Sequence, residues 1–198
     1  MKIVMLAAAL VSTTPALADI RVGALAPAFT ATAADGKTVR LADLKGKTVV
    51  LEWTNAGCPF VRAHYDSGNM QATQAAARKA GAVWLTINSG APGKQGHVDG
   101  AGARAQLAAD QAAPTAYLLD AAGTIGAAYG ARTTPHIYVI SPAGTLAYAG
   151  AINDRPTADQ GDARTGTNYA LAAVKAVAAG KAPDPATTKP YGCSVKYR

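Results

Sequence analysis

Thr48-Val49-Val50-Leu51-Glu52-Trp53, then Thr54-Asn55-Ala56-Gly57, then Cys58-Pro59-Phe60-Val61-Arg62-Ala63-His64-Tyr65: the fold turns on these three consecutive stretches. The first is a nearly unbroken apolar run, the pattern of a central strand covered on both faces. The second is a turn. In the third, Pro59 suits the first turn of a helix, where its missing N–H costs nothing, and this places Cys58 at or beside the helix N-terminus. A strand running through a tight turn into a cysteine at a helix start is a place for chemistry. The unpaired N–H groups and the helix dipole favour the thiolate, which is the reactive form of the residue.

The remaining pattern alternates strands with helices. Upstream lies an extended lead-in, Ala26-Pro27-Ala28-Phe29, followed by Asp35-Gly36 as a hairpin turn between short β segments. Downstream, an Ala-rich helix over Met70 to Lys79 ends at Gly81, and Ala82 to Asn88 reads as the next strand. Ser89 to Gly96 is a loop, and Gly102 to Asp110 a helix. Pro114 to Leu119 is a strand, and a short helix follows it to about Tyr129-Gly130. The strand His136 to Ile140 turns through Ser141-Pro142-Ala143-Gly144 into Thr145 to Ala149. A helix over Thr167 to Ala179 closes the domain ahead of a tail bearing Lys189-Pro190-Tyr191-Gly192-Cys193. Such alternation makes a layered α/β domain.

Composition narrows the function classes. The chain has 198 residues, enough for one domain with a substantial core. Its two cysteines are too few for a disulfide-stapled scaffold. Forty-eight residues are Ala and a single one, Glu52, is Glu. The net charge of +7 is spread without a basic cluster, so neither a nucleic-acid partner nor a nucleic-acid footprint is expected.

The N-terminus reads as an export signal. Met1-Lys2 is cationic, Ile3 to Val11 is apolar, and Ala16-Leu17-Ala18 offers small residues for cleavage after Ala18. The expected division is a signal peptide over 1–18, a redox domain over 19–187 and a tail over 188–198. The mature chain is then expected to be periplasmic or secreted, and free of the membrane.

Several stretches together resemble the thioredoxin fold, and within it the redoxin branch of alkyl hydroperoxide reductase and thiol-specific antioxidant proteins. They are Gly23 to Phe29, Asp35-Gly36-Lys37, Leu41 to Lys47, Cys58-Pro59-Phe60-Val61, Thr134-Pro135-His136 and Gly192-Cys193-Ser194-Val195-Lys196. The last three are similar to a peroxiredoxin-like subgroup. The resemblance implies an α/β thioredoxin-like fold: a central mixed β-sheet, helices on both faces and an N-terminal β-hairpin extension. It implies no cofactor.

The departures from the family pattern bear on chemistry. Val61 stands where a thioredoxin's second cysteine would follow, and Asn55 where a peroxiredoxin carries Thr; Thr54 is one residue out of register. The peroxidase arginine is also missing. Cys58 is therefore expected as the nucleophile and the more readily alkylated thiol, with Arg62 one turn on adding positive charge. Cys193 is expected as a resolving thiol in a tail able to swing onto the site. Its alternative role is a permanent staple, closing a loop of roughly 135 residues and stabilising by about 4 to 5 kcal/mol.

Pro135 resembles the cis-proline that faces the reactive cysteine. With Thr134 and Asn55 it is expected to meet substrate, the Thr134 backbone being left free to pair with a substrate strand. Glu52 is expected either as a buried proton relay or as a structural carboxylate held by a loop or by Arg62. The activity implied is thiol-disulfide exchange, with protein thiols and disulfides as partners and an external thiol as reductant. The alternatives are reduction of small hydroperoxides and a non-catalytic metal or protein chaperone using Cys58 and His136.

Overall fold

The computed structural model describes residues 20–198. The expected signal peptide lies outside the described residues. The lead-in gives a hairpin, β1 (Thr30–Ala33) and β2 (Thr38–Arg40), and a 3-10 turn over Leu41–Leu44. Then come β3 (Val49–Trp53), α1 (Pro59–Asp66), α2 (Asn69–Lys79), β4 (Val83–Asn88) and α3 (Gly100–Ala109). The second half holds β5 (Ala116–Leu119), α4 (Thr124–Ala128), β6 (Thr133–Thr134), β7 (His136–Ile140) and β8 (Leu146–Gly150). It ends in α5 (Gln160–Thr165), α6 (Tyr169–Ala178) and β9 (Cys193–Ser194).

Seven strands form one mixed sheet in the order β2-β1-β5-β4-β3-β7-β8. β3 is central. It pairs in parallel with β4 and antiparallel with β7, and every one of its five residues is buried. That is why its sequence is apolar without alternation. The expected N-terminal hairpin is present, and it joins the sheet through β1 pairing antiparallel with β5.

Each face has its own core. On one side Val50, Trp84, Ile137 and Val139 pack against Val61 and Tyr65 of α1, Met70 and Ala77 of α2, and Ala173 and Val174 of α6. On the other, Val49, Leu51, Trp53, Leu85, Ile87 and Tyr138 meet Ile125 of α4 and Tyr129. The fold is thus a thioredoxin-like α/β domain with helices on both faces of a mixed sheet.

Two elements depart from the expected outline. Helix α5 lies in a stretch to which the sequence pattern assigned no element; Asp159 caps it by accepting from the Asp162 N–H. The tail, expected either to swing onto the site or to be pinned there by a disulfide, is sewn to the domain by backbone hydrogen bonds. Ala149 N–H donates to Ala186 O (3.2 Å), Thr188 N–H to Ala149 O (3.1 Å) and Val195 N–H to Arg132 O (3.0 Å). Ala91 N–H reaches Lys196 O (2.8 Å), and Tyr197 Oη donates to Ala131 O (2.8 Å).

Candidate active site around Cys58 and Cys193

The C-terminal end of β3 delivers the chain into the turn before α1. Cys58 sits at the helix N-cap with extended dihedrals (φ −88°, ψ 122°), and Pro59 begins the helix behind it. Beside it lies the loop between β6 and β7, where the Thr134–Pro135 peptide bond is cis. Register brings the two together, because Trp53 at the end of β3 pairs with His136 at the start of β7. The Cys58 Sγ–H donates to the Thr134 carbonyl at 3.1 Å.

The tail completes the site. Strand β9 pairs antiparallel with β6, Thr134 opposite Cys193 and Thr133 opposite Ser194. The expectation that the Thr134 backbone would be free for a substrate strand is therefore corrected: the chain's own tail occupies that edge. Thr134 Oγ1 also donates to the Cys193 carbonyl at 3.4 Å.

The two thiols touch, and no bond joins them. Burial pushes the Cys58 thiol up, but donation from the Cys193 thiol and from the Val61 and Cys193 N–H groups outweighs it, so its pKa is lowered. Cys193 moves the other way, to about 11, through burial and its hydrogen bond and charge interaction with Cys58. Of the two, Cys58 is the thiol that ionises more easily.

Reactivity and access are separated here. Cys58 is 0% exposed while Cys193 is partly exposed. Burial thus opposes the expected order of alkylation: the more acidic thiol is the covered one. Tyr191 packs against the same apolar cluster as Cys58, its ring on Phe60 with centroids 5.9 Å apart. The Tyr191 hydroxyl donates to Asn153 Oδ1 and lies 3.0 Å from His64 Nε2, while Asn69 Nδ2 lies 2.8 Å from His64 Nδ1. Burial lowers the His64 pKa to about 4, which keeps the ring neutral, with Nδ1 accepting from Asn69 and Nε2–H donating to Tyr191.

Arg62 does not face the thiols. Its guanidinium is held by Asp66 and by Asp110, the latter at 2.8 Å. Asn55 is likewise engaged elsewhere. Its Oδ1 accepts from Gly57 N–H (2.9 Å), and its Nδ2 donates to Gln95 Oε1 (3.0 Å), bracing the turn against the 89–96 loop.

Glu52 is fully buried and accepts from four side chains. Tyr65 Oη donates to Oε1 at 2.7 Å. Trp84 Nε1 (2.7 Å), Thr86 Oγ1 (2.9 Å) and Gln74 Nε2 (3.1 Å) donate to Oε2. Burial still raises its pKa against all four donors. These partners tie β3 to α1, α2 and β4, and none of them is Arg62 or a loop.

His136 is buried, its pKa lowered to about 4 chiefly by that burial, and its Nδ1 lies 3.3 Å from Tyr138 Oη. Among the described residues no group of three or more His, Cys, Asp or Glu side chains is placed to hold a metal ion. Nor is any described helix long and apolar enough to cross a membrane. Sequence reading missed Tyr191, Gly192, Asn153 and Gln95 as parts of the site. The first two adjoin Cys193, and that adjacency was the available signal.

Comparison with known proteins agrees with this architecture. The AhpC/TSA family model matches residues 22–149, well over half the chain, and the chain belongs to that family. A hypothetical protein from Sinorhizobium meliloti is 25% identical, with a TM-score of 0.75 over 91% of this chain and 96% of that one. An uncharacterized conserved protein from Geobacillus kaustophilus is 26% identical, with a TM-score of 0.76 over 91% and 94%. The pneumococcal exposed lipoprotein thioredoxin from Streptococcus pneumoniae is 29% identical, with a TM-score of 0.50 over 62% of this chain and 87% of that one. No curated protein matches the chain.

Proposed function

From membership of the AhpC/TSA family as premise, we propose that this chain is an extracytoplasmic thiol-disulfide oxidoreductase whose redox couple is Cys58 and Cys193. One observation carries the reading: two unbonded thiols in contact, their pKa values driven in opposite directions. A low-pKa thiol attacks, and its neighbour holds the proton until its own turn comes.

The steps balance. Cys58 thiolate attacks an external disulfide, forming a mixed disulfide and releasing one partner thiolate. The Cys193 sulfur then gives its proton to that thiolate and attacks the Cys58 sulfur, displacing the second. The products are the Cys58–Cys193 disulfide and two reduced partner thiols; an external dithiol reverses the sequence. Thr134 and Pro135 position the pair, and Asn55 braces the turn. Glu52 holds α1, and with it the helix start, to the sheet. Arg62 stabilises α1 against Asp110.

Export rests on the N-terminal sequence and on the likeness to an exposed lipoprotein thioredoxin. N-terminal sequencing of the secreted chain tests cleavage after Ala18. The expected division into 1–18, 19–187 and 188–198 is retained, with the tail as a working part of the site.

Titration of the reduced protein against oxidised and reduced glutathione, with mass mapping, tests the couple. The expected product is one intramolecular Cys58–Cys193 disulfide with a potential above roughly −300 mV, the region below which structural staples fall. A product with Cys193 unpaired overturns the reading. Reduction of a small hydroperoxide is the second reading, favoured by the burial of Cys58, which admits a small oxidant more easily than a folded partner. Stopped-flow oxidation by hydrogen peroxide at no more than the rate of free cysteine removes it.

A further inference from the structure

The edge beside the cis-proline is filled by a strand of particular chemistry. Gly192, immediately before Cys193, has a φ of +116°, a conformation that side-chain-bearing residues rarely adopt. A Cβ built there would collide with the Thr134 carbonyl oxygen, lie 2.8 Å from the carbonyl carbon and press on Pro135 Cδ at 3.4 Å. These obstacles are backbone and a proline ring, neither of which can turn aside. The residue after Gly192 is Cys193, and its backbone pairs with Thr134 while its thiol meets Cys58. The residue before it is Tyr191, latched by His64 and Asn153. Beside Thr133, Tyr191 and Gly192 lies a cavity of about 490 Å³, bordered also by Asn153 and Lys189.

We propose that the Thr133–Thr134 edge is a strand-acceptor surface that selects glycine immediately before cysteine, with the chain's own Tyr191-Gly192-Cys193 segment as resident occupant and an extended polypeptide carrying Gly-Cys as the exchanging partner. The inference rests on the thiol-exchange reading above and adds a sequence requirement to it. The same contact gives the tail a second role, that of competitor. A partner strand reaches Cys58 only when the tail gives up the edge, and a strand with a side chain before its cysteine does not fit even then.

The test uses two synthetic peptides, each with its cysteine carried as a mixed disulfide to an aromatic thiol. One copies residues 188–197; the other carries Ala in place of the glycine. Cys58 thiolate attacks the peptide sulfur, the bond to the aromatic thiol breaks, and that coloured thiolate leaves as the Cys58–peptide disulfide forms. In full-length Gly192→Ala/Cys193→Ser protein, the added methyl expels the tail and no second thiol can resolve the product. The glycine peptide is expected to react roughly tenfold or more faster than its alanine partner, the scale of an overpacking penalty. In Cys193→Ser protein with Gly192 intact, both peptides are expected to be slow.

Equal rates for the two peptides in the opened protein overturn the proposal, as does absence of reaction with either. So does rapid reaction of the glycine peptide with the tail in place. If near-ultraviolet circular dichroism shows that Gly192→Ala does not fold, Tyr191→Phe replaces it. That variant removes the latch hydroxyl without adding bulk, and the same peptide selectivity is expected. Failure of the exchange reading itself is recognised separately, as a wild-type chain that forms no Cys58–Cys193 disulfide with glutathione.

Discussion

Glu52 and Cys58 are both acids buried completely, six residues apart in the chain, yet they are held in opposite ways. Glu52 is met by four donors from α1, α2 and β4, and it remains harder to ionise than an ordinary carboxyl. Cys58 is met chiefly by one other thiol and a few backbone groups, and it becomes easier to ionise. A carboxylate carries a large desolvation cost that neutral donors offset only in part. A large, polarisable sulfur at a helix start needs less help. Donor count alone therefore does not predict the direction of a shift; what decides is how much solvation the charged form has lost.

The largest break in this comparison is Cys58→Ser, which is expected to abolish exchange and leave Cys193 as an ordinary unpaired thiol. Thiol titration and mass mapping after glutathione oxidation would read this directly.

Next is Glu52→Ala. It leaves the Trp84, Thr86, Tyr65 and Gln74 donors without their acceptor and is expected to cost about 3 to 5 kcal/mol in urea unfolding. Glu52→Gln is much milder, because its amide oxygen can serve Trp84, Thr86 and Gln74 while its amide N–H₂ faces the Tyr65 oxygen. An exchange rate that survives Glu52→Gln assigns Glu52 to structure; a collapse in rate with the fold intact revives the proton relay.

The pH dependence separates the two acids further. The Glu52 pKa is raised in the fold, so the folded state holds a proton that the unfolded chain has lost. The stability this contributes is whole below the unfolded carboxyl's range and is lost as pH rises through the folded value. Urea midpoints measured upward from acid pH are expected to show this loss in wild type and not in Glu52→Gln. Cys58, its pKa lowered, has the opposite sign: its contribution is present above the unfolded thiol's pKa and is lost as pH falls through the folded one. Cys193→Ala removes the donating thiol and is expected to raise the Cys58 titration, read by thiolate ultraviolet absorbance.

The smallest effect belongs to Arg62. Arg62→Met is expected to leave that titration in place, because its guanidinium is occupied by Asp66 and Asp110. A clear upward shift would restore Arg62 to the thiol's surroundings.

What was legible in the sequence follows from range. The run into Cys58, the helix behind Pro59 and strand β7, which matches its expected limits of His136 to Ile140, all announce themselves through local apolar pattern. The pairing of β6 with β9 does not. Each is two residues long, too short for any periodicity, and their partners lie about sixty residues apart. The partners of Glu52 lie 13 to 34 residues downstream on three different elements, so one buried carboxylate could be picked out while its role could not. Arg62 shows the converse error. Helical spacing put it on the cysteine's face, but two carboxylates, one of them on the last residue after α3, drew it away.

The run of chain from Ala186 to Thr188 has a consequence of its own. It lies along β8, the outermost strand of the sheet on that side, and it comes so close to Gly150 that a side chain there would meet the Thr188 backbone at 2.6 and 2.8 Å. An uncovered outer strand is a template for pairing between molecules, and this segment shields it. In the proposed exchange, the last residues leave their edge while the preceding ones stay put, with Lys189-Pro190 as the natural place for the division. A chain that loosened further back would trade an open redox site for self-association.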